Sequence, residues 1–224
     1  MKKINNIEDG PHSLRVKELV SLVNNTDSAD ILLVGDSWFE YYQSGPSEEY
    51  LGNYSADFEN LNVLNLGIGG ATFAEYRNYI DILLNKFNPK VIVINLGFND
   101  IHSNKAIYPI YFDAVDFIET LRNKFIHSKI MVLSVCQSYS SKKYIKNETE
   151  YNHLIKEFCK GKNYLYYIDT AASFYKNNNY IKDFNSYFVT LNDGYHLNKK
   201  GYELWSKDFK NILKKEINIW RQNR

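Results

Sequence analysis

The stretch DILLVGDSW, residues 30–38, joins a continuous apolar run to a polar turn. An apolar run without alternation is typical of a strand buried on both faces, as in a parallel sheet covered by helices. Four later runs share this character. The predicted strands are Asp30–Gly35, Asn62–Leu66, Val91–Leu96, Lys129–Cys136 and Tyr164–Ile168. The sequence therefore predicts a parallel sheet of five strands.

Stretches with helical spacing of apolar residues separate these strands, and each can cover one face of the sheet. Alternating strands and helices predict a three-layer α/β/α sandwich with right-handed crossovers. We expect one domain over residues 1–224, with its core at about 30–205. The predicted helices are Ser13–Val23, the stretches 73–87, 114–125 and 151–158, and a closing helix from Gly201 onward.

Composition excludes several classes of function. The 224 residues include 27 basic and 26 acidic side chains, and a net charge of +1 gives no general attraction to nucleic acid or anionic membranes. A content of 44% hydrophobic and 16% aromatic residues can fill a sizeable core and excludes disorder as the main state. With only Cys136 and Cys159, a disulfide framework is excluded, and no spacing of metal ligands is visible.

The start of the chain and its apolar runs predict a cytoplasmic location, unless a leader has been removed. Basic residues at positions 2 and 3 lead into Glu8 and Pro11 instead of the apolar stretch of a signal peptide. The longest apolar runs, Ile31–Val34 and Val91–Ile94, fall far short of the ~20 residues that cross a bilayer. We expect neither a membrane nor a nucleic acid as partner.

Motifs with candidate catalytic residues follow the first three predicted strands. Ligands of parallel sheets bind at this carboxyl end of the strands. Ser37 could be a nucleophile held in a tight turn, or Asp36 and Ser37 could merely cap a helix. Glycines in Asn65–Gly70 could bring N–H groups close to a ligand, or form a plain turn. Asn99 could donate a hydrogen bond to an oxyanion, or close its strand in an Asx turn.

A fourth motif, residues 193–196, precedes the closing helix. His196 could act as a general base toward a serine, with Asp193 orienting its imidazole; a surface loop is the alternative. The topology brings all four motifs to one rim of the sheet, so we expect them to form one site. The remaining histidines have no carboxylate in a comparable arrangement and are expected to be structural or exposed: His12, His102, His127 and His153.

Together and in this order, the four motifs resemble those of the SGNH, or GDSL-type, hydrolase family. The resemblance spans about residues 30–205 and implies a flavodoxin-like sheet with strand order 2-1-3-4-5. It implies a triad of Ser37, Asp193 and His196. It also implies an oxyanion hole formed by the N–H groups of Ser37 and Gly70 and the side chain of Asn99. No metal or organic cofactor is implied.

The implied reaction is ester hydrolysis through an acyl-enzyme. We expect a small-molecule substrate with a short acyl group, most simply acetyl, on a carbohydrate or similar polar alcohol. No long apolar segment is visible to shelter a fatty chain. An acyltransferase with the same triad, or a lysophospholipase or thioesterase, is the alternative. A non-catalytic binding module on the same scaffold is argued against because every triad and oxyanion residue is present.

Aromatic residues near the motifs could border the substrate or pack beneath the loops. Trp38 and Phe98 are the candidate substrate contacts. The others that follow the nucleophile or precede Asp193 are Phe39, Tyr41, Tyr42, Tyr187 and Phe188.

Overall fold

The computed structural model describes residues 12–176, 179–189 and 193–222. The first eleven residues, which include the stretch used to predict the absence of a signal peptide, lie outside the described residues. No helix in the described part of the chain has both the length and the apolar character that a membrane span requires. The cytoplasmic location stays a prediction.

Five parallel strands form the central sheet in the order β2-β1-β3-β4-β5, which confirms the predicted topology. The fourth strand ends at Leu133 and not at Cys136 as predicted. Its ladder stops because the backbone N–H and carbonyl of Val135 bond to the side chain of Asn152, and no longer to a neighbouring strand. The strands are β1 (Ile31–Gly35), β2 (Val63–Gly67), β3 (Val91–Asn95), β4 (Lys129–Leu133) and β5 (Leu165–Ile168).

Helices connect the strands. The stretch 73–87, predicted as one helix, forms two short ones, because the N–H groups of Asn78 and Tyr79 bond to carbonyls three residues back and tighten the backbone. The helices of the described residues are α1 (Ser13–Asn24), α2 (Ser37–Ser44), α3 (Tyr54–Asp57), α4 (Phe73–Arg77), α5 (Ile80–Leu84), α6 (Phe98–His102), α7 (Ile107–Lys124), α8 (Ile145–Cys159) and α9 (Lys199–Gln222).

Shorter elements complete the chain. An antiparallel pair of two-residue strands, β6 (Tyr175–Lys176) and β7 (Asn179–Tyr180), lies between β5 and α9. Turns of 3₁₀ helix occupy Glu48–Tyr50, Lys142–Tyr144, Thr170–Phe174 and Phe184–Tyr187.

Alternate residues of each strand face opposite layers, as the pleat of a strand requires. Leu32 and Val34 of β1 belong to a core with α1, α4, α5, α7 and α8. Ile31 and Leu33 belong to a second core with α2 and α9, in which Trp205 is fully buried. The structure is therefore the predicted three-layer sandwich; the single-domain assignment of residues 1–224 stays a prediction.

The carboxyl ends of the first three strands lie side by side at one rim of the sheet. Gly35 at the end of β1 is in register with Gly67 of β2 and with Asn95 of β3. The segments that follow these strands carry three of the four sequence motifs, so the sheet register brings them together.

Candidate active site

Ser37 is the first residue of α2, directly beyond β1. The carboxylate of Asp36 caps this helix by accepting the backbone N–H of Trp38 at 3.0 Å. The turn is tight, because a Cβ placed on Gly35 would lie 2.7 Å from the Asn95 carbonyl oxygen. The helix-cap interpretation therefore holds for Asp36, while the Ser37 hydroxyl contacts His196.

A line of hydrogen bonds joins the serine to a carboxylate. Nε2 of His196 lies 2.9 Å from Oγ of Ser37, and Nδ1 lies 2.6 Å from Oδ2 of Asp193. The second Asp193 oxygen accepts the backbone N–H groups of Tyr195 and His196 at 2.6 and 3.0 Å. This geometry can pass the serine proton to the imidazole while the carboxylate fixes the orientation of the ring.

The electrostatics of Asp193 suit this arrangement. Partial burial raises the pKa of the carboxyl, but hydrogen bonds from the His196 side chain and the Tyr195 backbone outweigh it and lower the pKa below its ordinary value. Asp193 is therefore ionised at neutral pH, where it can stabilise an imidazolium.

A serine that the sequence did not single out holds the Asp193 loop. Oγ of Ser140 donates to the Asp193 carbonyl at 3.0 Å, and its N–H donates to the Gly194 carbonyl at 3.0 Å. Gly194 has a φ of +73°, and a Cβ there would lie 2.3 Å from the Ser140 hydroxyl oxygen. Both the backbone angle and this approach require glycine.

One N–H group of the glycine turn after β2 is free. Among the described residues, the N–H of Gly70 has no hydrogen-bond partner, and neither has that of Ser37 at the start of α2. Gly70 is exposed and has a φ of +77°. The neighbouring N–H groups are occupied: Gly67 bonds to Asn65, Ile68 to Gly35, Gly69 to Glu40, and Ala71 to Ile68.

Asn99 lies beside this turn at the start of α6. Its Nδ2 donates to the Ala71 carbonyl at 3.1 Å, so the side chain crosses to the glycine turn and does not form an Asx turn. An amide nitrogen carries two protons, and the second remains available to a ligand. The N–H groups of Ser37 and Gly70 and the Asn99 amide thus lie on the segments that meet at one rim, as expected.

Residues 33–204 match the model of the GDSL-like lipase/acylhydrolase family. The chain belongs to this family. GDSL-family members are serine ester hydrolases, so the chain is an enzyme of that class. The resemblance seen in the four motifs is confirmed.

Solved structures share the GDSL fold at low sequence identity. A Streptococcus pneumonia protein described as a candidate platelet activating factor has a TM-score of 0.75 at 19% identity, covering 90% of this chain and 92% of its own. A GDSL-like lipase from Bacteroides thetaiotaomicron has a TM-score of 0.69 at 16% identity, with coverages of 92% and 98%. A family 3 carbohydrate esterase from Clostridium thermocellum has a TM-score of 0.61 at 18% identity, with coverages of 83% and 98%. None of the curated proteins matches the chain.

Aromatic rings border the GDSL-family motifs on two sides. The Tyr41 ring lies 4.7 Å from the His196 ring, and the Tyr50 ring lies 6.0 Å from it. The rings of Trp38 and Phe98 lie 6.3 Å apart. Trp38 is itself 3% exposed and belongs to the second core, as do Phe39, Tyr42 and Phe188, while Tyr187 packs against that core.

His102, which was expected to be structural or exposed, has a carboxylate partner that the sequence did not reveal. Its Nε2 lies 3.1 Å from Oε1 of Glu148, a fully buried carboxyl on α8. Burial raises the pKa of Glu148, and the contact with His102 opposes this rise. The His102 ring also stacks on Tyr144 at 4.1 Å and lies 3.9 Å from the Phe98 ring. The partners come from different helices, so no local pattern could reveal this pair.

Two buried aspartates connect the motifs. Asp36 also accepts Nδ2 of Asn95 at 3.2 Å, and burial raises the pKa of Asp36 to about 7. Asp100 accepts the backbone N–H of Phe73 at 3.2 Å, and burial raises its pKa to about 6. Asp100 thereby ties α6, which carries Asn99, to the first turn of α4.

In the described residues, no three His, Cys, Asp or Glu side chains form a group able to hold a metal ion. Reaction without a metal or an organic cofactor stays a prediction for this GDSL-family enzyme.

Proposed function

We propose that the protein hydrolyses short-chain esters, acetyl esters before others, of a carbohydrate or similar polar alcohol, with Ser37 as the nucleophile. The observation that carries the proposal is the hydrogen-bonded line from Asp193 through His196 to Ser37, with contacts of 2.6 and 2.9 Å. A serine aligned in this way with a base and an orienting carboxylate is the arrangement that acyl transfer needs.

The reaction runs in two steps. Ser37 attacks the ester carbonyl while His196 takes its proton, and the alcohol leaves with that proton, giving an acyl-enzyme. His196 then removes a proton from water, which attacks the acyl carbon; the bond to Oγ of Ser37 breaks as His196 returns the proton to Oγ, and the acid is released. In both steps the N–H groups of Ser37 and Gly70 and the Asn99 amide stabilise the oxyanion.

The acyl side of the substrate is proposed to face Trp38 and Phe98. Both side chains line a small cavity of about 10 Å³, together with Asp36, Asn95 and Cys136. That volume is on the order of one water molecule. The cavity is too small to hold an acyl chain, so we propose that the acyl group is short and lies against the Phe98 and Trp38 rings outside the cavity.

The alcohol side of the substrate is proposed to contact tyrosines. Tyr41 and Tyr50 lie against the His196 ring, and Tyr195 beside it is exposed. Such rings offer an apolar face and a hydroxyl, which together suit a sugar with its own apolar face and hydroxyl groups. A carbohydrate esterase among the proteins of similar fold gives this substrate class further support.

The test is a panel of p-nitrophenyl esters from acetyl to octanoyl, with acetylated monosaccharides assayed for acetate release. We expect kcat/KM to be highest for the acetyl ester and acetate to be released from the sugars, with Ser37→Ala inactive on both. Rates that rise steadily from acetyl to octanoyl would overturn the acyl preference and favour a lipase or thioesterase.

An added alcohol distinguishes hydrolysis from acyl transfer. With glycerol or a free sugar in the reaction, a hydrolase gives acetate as the main product, whereas an acyltransferase gives the acetylated acceptor. Hydrolysis is the outcome expected here.

A further inference from the structure

Glu40 connects the nucleophile helix to the glycine turn. It lies on α2 three residues after Ser37, and its Oε2 accepts the backbone N–H of Gly69 at 2.5 Å. Gly69 directly precedes Gly70, whose N–H is free. The helix that carries the serine therefore also holds the segment that carries a proposed oxyanion donor.

The helix and the turn meet without an intervening side chain. A Cβ on Gly67 would lie 2.3 Å from the backbone nitrogen of Glu40. A Cβ on Gly69 would lie 2.9 Å from the Glu40 carboxylate and 3.7 Å from Cβ of Ser37. Two adjacent glycines also give the chain many alternative conformations, so a fixed acceptor is needed to select one of them.

An arginine from α1 supports the same carboxylate. Nε of Arg15 donates to the Gly67 carbonyl at 3.0 Å and lies 3.6 Å from Oε1 of Glu40. The two side chains are only 19% and 18% exposed, so solvent screens their attraction less than at an open surface. Arg15 thus contacts both the carboxylate and the turn that the carboxylate holds.

We propose that Glu40 is a positioning residue for the oxyanion hole, with Arg15 holding its carboxylate in place. The proposal rests on the proposed function, because an oxyanion donor matters only if Ser37 attacks a carbonyl. The bond from the Gly69 N–H to the Glu40 side chain fixes the Ile68–Gly69 peptide, one residue before the Gly70 N–H. Donors stabilise a transition state only when they are held in place beforehand, and a displacement of about 1 Å can cost about 100-fold in rate.

The test compares Glu40→Ala with Glu40→Gln, which keeps an acceptor oxygen, and with Glu18→Ala as the matched control. Glu18 contacts Arg15 at 3.2 Å, is largely exposed and does not contact the turn. On the best ester, we expect Glu40→Ala to lower kcat by about 10- to 100-fold with little change in KM. Glu40→Gln should retain most of the rate, and Glu18→Ala should leave it unchanged.

Amide hydrogen exchange gives a readout that does not depend on activity. The Gly69 amide should exchange slowly in the wild type and in Glu40→Gln and fast in Glu40→Ala, with all variants folded by circular dichroism. An unchanged kcat or an unchanged Gly69 exchange rate in folded Glu40→Ala overturns the positioning role while leaving the proposed function intact. A wild type that cleaves no ester overturns the proposed function, and this proposal with it.

Discussion

Nε2 of His196 lies 2.9 Å from Oγ of Ser37, although 159 positions separate the two residues in the sequence. Helix α9 accounts for this proximity. The Tyr202 hydroxyl donates to the Trp38 carbonyl at 2.8 Å, and the rings of Trp38 and Trp205 meet at 5.5 Å. The packing of α9 on α2 therefore sets the distance between the proposed base and the proposed nucleophile.

Asn99→Ala should lower kcat by about 100-fold or more with KM little changed, because an oxyanion donor acts mainly in the transition state. Steady-state kinetics on the best ester measures this. Asn78→Ala is the matched control. The Asn78 side-chain amide is exposed and donates to the backbone carbonyl of Ala74 in α4. An effect confined to KM would mean that Asn99 only binds the substrate.

Activity should fall in acid, because a protonated His196 cannot accept the serine proton. The lowered pKa of Asp193 keeps that carboxylate ionised as the pH falls through the histidine range, so loss of the base limits the rate there. We expect wild-type kcat/KM to decrease as the pH falls from about 8 to about 5. A flat profile over this range would count against a histidine base.

Asp193→Asn should lower kcat by about 10³- to 10⁴-fold at neutral pH, because an amide neither stabilises the imidazolium nor selects the required tautomer. Kinetics and an unfolding curve, run together, separate this effect from a loss of folding. A folded variant with near wild-type kcat would contradict the role of Asp193.

The buried Asp36 should make stability depend on pH. Because its pKa is about 7 in the folded protein and 3.8 ordinarily, the fold favours the protonated form. The contribution of protonated Asp36 to the free energy of unfolding is fully present below about pH 4 and is lost as the pH rises to about 7. The free energy of unfolding changes by up to about 4 kcal/mol over this range. Asp36→Asn lacks this titrating group. The free energy of unfolding of the variant should therefore rise relative to that of the wild type as the pH increases over this range.

Urea unfolding at a series of pH values measures this difference. Asp27→Asn, on an exposed aspartate, is the control and should track the wild type at every pH. A constant difference between Asp36→Asn and the wild type from pH 4 to 7 would show that Asp36 does not titrate as expected.

His102→Ala should destabilise the fold by about 1–3 kcal/mol, because it leaves the buried Glu148 carboxyl without its histidine hydrogen-bond partner. Adding Glu148→Gln to this variant should restore part of the loss, since it removes the unpaired charge. Urea unfolding of the single and double variants measures both effects. A single variant as stable as the wild type would mean that Glu148 is held neutral in the native state.

The strands of the sheet and the four motifs could be predicted because each depends on short segments, whereas the strand order was implied only by the family resemblance of the motifs. A buried strand such as Val91–Asn95 shows in its continuous apolar run, and the turn that follows each strand is adjacent to it in the sequence. Parallel topology then brings Ser37, Gly70 and Asn99 to one rim.

Other contacts could not be predicted, because they join residues from separate elements through packing. Neither the bond from Ser140 to Asp193 nor the pair of His102 with Glu148 has a local pattern. Glu40 is adjacent to a motif, but its acceptor role depends on how closely α2 approaches the glycine turn. The early end of β4 likewise depends on a side chain of α8.

The most direct test of the central claim, that Ser37 is the nucleophile, is labelling with an active-site phosphonate followed by mass spectrometry of the digested protein. We expect one phosphonate per chain, on the peptide containing Ser37, with no label and no ester hydrolysis in Ser37→Ala. Label on Ser134, Ser138 or any other serine, or ester hydrolysis that persists in Ser37→Ala, would contradict the claim.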